Sequence, residues 1–214
     1  MNPLKSVPIY GKTVSNRYQK NDNVRANLPP HIYATAENCY REMMRTQQNQ
    51  CILISGESGS GKTETCKYLV QHLLNRTKPF EVYLNSKIQE VNPLLEAFGN
   101  AKTRINDNSS RFGKYLEIYF EQDGSVVGAK FKEYLLEKSR VAFQNEYEST
   151  FHIFSHLFAG LTCAEKLHYG LLRSPEKYRY MPKSSHNLMT LENEEKFIAI
   201  KKSMVTIGFM SEVS

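Results

Sequence analysis

Over the first 30 residues the apolar positions follow no period, and Pro3, Pro8, Gly11, Pro29 and Pro30 interrupt them. The segment reads as loop with at most a short helix. From His31 to about Gln48 the pattern changes. Ile32, Tyr33, Ala36, Tyr40, Met43 and Met44 recur at helical spacing, with Thr35 and Glu37 early in the helix. Cys51-Ile52-Leu53-Ile54-Ser55 is a short unbroken apolar run. Such a run predicts a strand covered on both faces, as in a parallel sheet. A glycine-rich segment follows. A helix is then expected from Lys62 to about Asn75, with Tyr68, Leu69, Leu73 and Leu74 inward.

Another helix is expected from about Lys87 to Phe98, where Pro93 is either a kink or a boundary. Asn100 to Lys114 is polar and reads as loop. Tyr115 to Phe120 and Val126 to Tyr134 read as two strands around the turn Gln122-Asp123-Gly124-Ser125, because Asp-Gly is a hairpin signal. Helical patterns return over Phe151–Leu161 and from Glu192 to about Ile207, with a basic, aromatic surface loop from Ser174 to His186 between them. The expected fold class is α/β, a mixed sheet flanked by helices.

One segment carries chemistry. Gly56-Glu57-Ser58-Gly59-Ser60-Gly61-Lys62-Thr63 matches G-x-x-x-x-G-K-[ST] at every fixed position. Glycines let the backbone curl so that successive N–H groups face phosphate oxygens. The following helix adds its positive N-terminus. In this motif the Lys62 ammonium reaches the β- and γ-phosphates and the Thr63 hydroxyl is a Mg²⁺ ligand. Chance alone produces the match in roughly one chain of this length in a hundred. The flanking strand and helix patterns lower that further.

Hydrolysis needs more, beginning with an Asp at the end of another apolar strand. The 214 residues hold only three aspartates, Asp22, Asp107 and Asp123, and none follows such a strand. Gly208-Phe209 has no acidic residue close before it. The second half of an ATPase site is therefore not found.

Composition changes the picture little. With 40% hydrophobic and 23% charged residues the chain is too apolar for a disordered one. The net charge of +6 is spread through the sequence, with no basic run that would favour nucleic acid. There is no apolar run long enough for a membrane span and no signal-peptide core at Met1. Cys39, Cys51, Cys66 and Cys163 show no CxxC spacing and read as reduced and buried in a cytoplasmic protein.

The loop GESGSGKT with the following Glu64-Thr65 closely resembles the phosphate loop of the myosin motor head. Asn106-Asp107-Asn108-Ser109-Ser110-Arg111-Phe112-Gly113-Lys114 resembles the myosin switch I and is the more specific string. Glu96 to Thr103, Tyr134 to Arg140 and Phe151 to Phe154 are similar to the family as well, and Asn2, Pro3 and Tyr10 resemble its purine loop. The matches run in the family's order over about residues 2–161.

This resemblance implies a phosphate-loop NTPase-type motor core. It divides into residues 1–30 (purine loop and linker), 31–161 (phosphate loop and switch I core) and 162–214 (helical part of the upper half). It implies ATP and Mg²⁺ as ligands, actin filaments as partner and a cytoskeletal location. Asn2, Pro3, Lys5 and Tyr10 would surround the adenine. Gly56, Glu57, Ser58, Gly59, Ser60, Gly61, Lys62, Thr63 and Glu64 would hold the phosphates. Asn106 and Ser109 would contact the γ-phosphate, and Thr63 and Ser110 would be the protein ligands of Mg²⁺. Lys62, Ser109 and Arg111 would be catalytic, Arg111 through a salt bridge to a switch II glutamate. A myosin head continues well beyond 214 residues, so the chain reads as its first part, with no support for light-chain binding. Two functions follow: the ATP-binding portion of an actin-based motor ATPase, or a non-motile nucleotide-binding or interaction fragment. By itself the piece is expected to lack actin-activated ATPase and to expose a strand edge.

The sequence carries three weaker signals. His152 and His156 have zinc-ligand spacing, but their apolar surroundings favour a packed helix. Cys66, early in the helix after the phosphate loop, suits a small buried apolar residue better than a redox site. Lys177-Tyr178-Arg179-Tyr180 suits a surface loop better than a nucleic-acid contact.

Overall fold

The computed structural model describes residues 5, 7–20, 28–76, 82–171, 174–181 and 190–209. Asn2, Pro3 and residues 182–186 of the expected surface loop lie outside them. The chain forms two units: residues 1–85 with 117–130, and residues 86–116 with 131–214.

In the first unit, helix α1 (Lys12–Lys20) packs on α2 (Ile32–Thr46), and α2 packs on α3 (Lys62–Leu74). The long α2 matches its predicted period. Its buried face, however, carries a charge: Tyr33, Ala36 and Glu37 are all buried. Tyr18 and Tyr33 form an aromatic core with Tyr10, Val14, Ile32 and Tyr68 against them. On α3, Leu69 and Leu74 are buried as expected, while His72 lies deep and Tyr68 and Leu73 are half-buried. The expected hairpin is present as β3 (Gly113–Phe120) and β4 (Val126–Tyr134). Its turn is tight for a reason. Gly124 has φ +82°, and a Cβ there would lie 2.0 Å from the Tyr40 hydroxyl oxygen. That same hydroxyl donates to the Gly124 carbonyl at 3.1 Å.

In the second unit, α4 (Val82–Gly99) enters from the first and runs straight into β1 (Asn100–Thr103). Pro93 neither ends nor bounds this helix. Proline has no N–H for the carbonyl four residues back, and Asn92 Nδ2 donates to that Gln89 carbonyl at 3.3 Å instead. Helices α5 (His152–Gly160) and α7 (Leu191–Ile207) pack together, with the short α6 (Cys163–His168) between them in sequence. Leu94, Ala97 and Ile200 form the core there, joined by Ile153 and Met204. Both Thr162 and Thr190 cap their helices, and Gly208 closes α7 in the left-handed region.

Four expectations are corrected. The polar stretch 100–114 is not a loop: Asn106–Ser110 is strand β2, antiparallel to β1 with Asn100 opposite Ser110 and Ala101 opposite Ser109. The mixed sheet is not formed among the described residues, which hold two separate two-stranded sheets. Cys51–Ser55 is neither helix nor strand and pairs with no strand among the described residues, and Leu53 is 87% exposed. A run apolar on both faces is buried only when strands and helices from elsewhere cover it. Both two-stranded sheets join strands that are close in sequence, and one isolated bridge links Ala101 to Phe151. Finally, Cys51 and Cys163 are exposed, not buried, and all four cysteines are free thiols.

Candidate functional site

Residues 56–63 form a curled loop that opens α3. Gly59 (φ +77°) and Gly61 (φ +92°) occupy the left-handed region, which side chains rarely adopt, and Gly61 is the N-cap of α3. A helix N-terminus offers unpaired N–H groups and a positive dipole end, the ordinary anion site of a fold. Lys62 folds back across the loop. Its ammonium donates to the Gly56 and Glu57 carbonyls, both at 2.7 Å. Gly56 to Gly59 are exposed and Ser60 to Thr63 half-buried, so the loop faces solvent. Glu64 lies in the first helical turn and pairs with Lys67 at 2.8 Å.

Of the expected adenine contacts, Lys5 is exposed and Tyr10 is half-buried. The Tyr10 ring stacks on Tyr68 at 4.0 Å with planes 9° apart. Its carbonyl accepts from the Tyr33 hydroxyl at 2.6 Å.

The hairpin β1–β2 lies in the second unit and carries Asn106, Ser109 and Ser110. Ser109 is 3% exposed, whereas Ser110 faces solvent. The asparagines brace the strand: Asn100 Nδ2 donates to Asn108 Oδ1 at 2.9 Å, and the Asn108 amide donates to Asn106 Oδ1 at 3.0 Å. Arg111 follows. Its N–H donates to the Gly99 carbonyl at 2.8 Å, its Nη1 donates to Ser109 Oγ at 3.2 Å, and its Nε lies 2.5 Å from Glu137 Oε2. The hairpin thus collects the side-chain amides and hydroxyls that suit phosphate oxygens and a hard cation.

Sequence reading missed two groups of residues. Glu137 and Arg140 were legible only as part of a motif, with no role. The other is a buried polar chain in the first unit. Glu37 and His72 are both 0% exposed, with His72 Nε2 3.1 Å from Glu37 Oε1 and the Ser15 hydroxyl 2.7 Å from His72 Nδ1. Arg76 Nη1 donates to Glu37 Oε1 at 2.6 Å and Oε2 at 2.7 Å. Burial opposes ionisation of Glu37, yet hydrogen bonds from His72 and Arg76 hold its carboxyl below the ordinary range. A glutamate in the second turn of a helix ordinarily signals solvent. Only its partners, 35 and 39 residues away, show otherwise.

His152 and His156 stack at 5.8 Å, and His156 Nδ1 lies 3.0 Å from Asn193 Oδ1. No group of three or more His, Cys, Asp or Glu suited to a metal occurs among the described residues. Burial first, then the nearby charges of His156 and Lys196, push His152 down to about 4, against the opposing pull of Glu96 and Asp107. Burial lowers His156 too. Both rings are therefore neutral in the folded chain at pH 7. Because each folded pKa lies below the unfolded value of ~6.5, their contribution to stability is complete above that value and is lost as pH falls, for His152 toward about 4. We expect acidification from pH 7 to pH 5 to lower stability by about 2 kcal/mol, discounted for partial exposure. Urea midpoints at the two pH values check this, and His152→Phe should flatten the difference.

The glycine loop opens α3 in the first unit, and the hairpin of amides and hydroxyls lies in the second. The family follows from the sequence comparison. The chain belongs to the myosin head (motor domain) family, whose model matches residues 1–214. It is 43% identical to myosin IE heavy chain of Dictyostelium discoideum over 97% of this chain and 21% of the relative. It is 45% identical to myosin-IIIb of Mus musculus, over 98% of this chain and 16% of the relative. Against myosin IA heavy chain of Dictyostelium discoideum it is 49% identical, over 87% of this chain and 19% of the relative. The chain thus spans about one fifth of the length of these relatives. No helix among the described residues is long and apolar enough to cross a membrane.

Proposed function

We propose that this chain is the ATP-binding part of an actin-based motor ATPase with a phosphate-loop NTPase core. The observation that carries the reading is the 56–63 loop, with its left-handed glycines at the start of α3 and Lys62 folded across it, inside a myosin head sequence. In this reading the loop amides and Lys62 hold the β- and γ-phosphates. Asn106 and Ser109 approach the γ-phosphate, and Tyr10 and Lys5 lie toward the adenine. Thr63 and Ser110 supply hydroxyls to Mg²⁺, which when bound neutralises part of the triphosphate charge. The reaction proposed for the whole protein is attack of water on the γ-phosphate, coupled to actin filaments in the cytoskeleton.

Titration of the full chain with a fluorescent ATP analogue tests the reading. Saturable binding is expected, strengthened by Mg²⁺ over EDTA. Thr63→Val should remove about tenfold of that Mg²⁺-dependent affinity, or ~1.4 kcal/mol. An absence of saturable binding would sink the proposal. Actin-stimulated phosphate release is not expected from this chain alone, and its appearance would overturn that expectation.

A further inference from the structure

Arg111 is held from several sides. Glu137 accepts from its Nε at 2.5 Å, and the Glu137 amide donates to the Arg111 carbonyl at 3.0 Å. Glu137 is itself fixed. Arg140, only 4% exposed, donates to Glu137 Oε2 from Nε at 2.8 Å and to Oε1 from Nη2 at 3.3 Å. Arg140 in turn reaches Glu148 at 3.0 Å and the Ser149 carbonyl at 3.1 Å. Ser149 ties back to β1, since its N–H donates to the Lys102 carbonyl at 3.0 Å. The result is a closed ring from β1 through Ser149, Arg140, Glu137 and Arg111 to Ser109 on β2. Burial works against the Glu137 charge, but hydrogen bonds from Arg140 and Arg111 keep its carboxyl below the ordinary value.

We propose that Glu137 is a positioning residue of the 106–111 segment: anchored by Arg140, it holds Arg111 and withholds that cation from the bound phosphate. The proposal rests on the ATP-binding reading above. A guanidinium paired with a carboxylate carries little net field, so Asn106 and the serines meet the ligand as neutral donors. Removing the Glu137 charge leaves Arg111 beside Ser109 as an uncompensated cation. A triphosphate, which carries more charge toward that segment than a diphosphate, then gains the more.

Glu137→Gln tests this in the full chain, with Glu137→Asp as the charge-retaining control. In the absence of nucleotide, amide hydrogen exchange over 106–111 should speed up about threefold or more in Glu137→Gln and return toward the parent rate in Glu137→Asp. With nucleotide, the ratio of ATP to ADP affinity should rise about threefold to tenfold in Glu137→Gln and fall back at high salt. A purely structural role predicts both affinities falling together, with their ratio unchanged. Unchanged exchange at 106–111 would overturn the hold, and an unchanged or lower ratio would overturn the withholding. If Glu137→Gln unfolds, Arg140→Lys supplies the second variant. It keeps the charge but loses the fork that fixes Glu137, and the same two readouts apply. A parent chain that binds no nucleotide would refute the ATP reading, while the nucleotide-free exchange would still judge the hold.

Discussion

Glu37→Leu is expected to lower the stability of this chain by about 3–5 kcal/mol, the range for removing one partner of a buried ion pair. Glu37 and His72 are fully buried, and Arg76 spans both carboxylate oxygens at 2.6 and 2.7 Å. Arg41 adds a contact at 3.3 Å. Leucine fills the space but leaves the Arg76 guanidinium and His72 Nε2–H without their acceptor. Desolvated donors stranded this way cost more than the pair contributes when complete. A natural domain holds only ~5–15 kcal/mol in total, so the loss is large. The measurement is the urea midpoint at pH 7, with Glu37→Gln as an intermediate case that keeps one acceptor oxygen. A loss below about 1 kcal/mol for the leucine variant would show the network to be dispensable. The pH sign is fixed as well. The folded Glu37 pKa lies below its unfolded value, so its contribution is present above the ordinary carboxylate range and disappears as pH falls through the folded pKa.

Lys62→Ala is expected to weaken ATP binding by about 100-fold or more while leaving the thermal midpoint almost unchanged. The Lys62 ammonium stands 2.7 Å from the carbonyls of Gly56 and Glu57, an arrangement that braces the loop and brings a charge to its mouth. On the proposed reading, in which Lys62 holds two phosphates, loss of charge-assisted bonds at about 1.5–3 kcal/mol each gives roughly 3 kcal/mol or more, which converts to about two decades in Kd. Stability should hold because the loop faces solvent and its bonds are local. Lys62→Arg keeps the charge but presents a planar fork where the loop accepts a compact cation, so partial recovery is expected. Titration with the fluorescent analogue measures all three proteins. Equal affinity for the parent and Lys62→Ala would remove Lys62 from the site.

Much of the local structure was legible because it depends on neighbours in sequence. The 3.6-residue period located α2 and α7, Asp123-Gly124 located the β3–β4 turn, and the glycine spacing at 56–61 located the loop that opens α3. β2 was not legible. Asn106-Asp107-Asn108-Ser109-Ser110 has no apolar alternation, and it is a strand because Asn100 and Ala101 lie opposite Ser110 and Ser109. The site residues were named through motif and family likeness. Their present partners were not: Tyr68 for Tyr10, and Glu137 for Arg111.

What the sequence by itself determined, then, is the longer helices, the β3–β4 hairpin, the glycine loop and the myosin head family, because each is written in spacing over a few to a few tens of residues. The tertiary structure alone decided which charges are buried and which apolar surfaces are left open. Glu37 is buried because His72 on α3 and Arg76 just past the end of that helix converge on it. Leu53 stays exposed because no strand among the described residues pairs with its segment. Both outcomes depend on groups brought together from distant positions. Burial of a charge is tolerable only where such partners satisfy it, and an apolar strand is buried only where neighbours cover its faces.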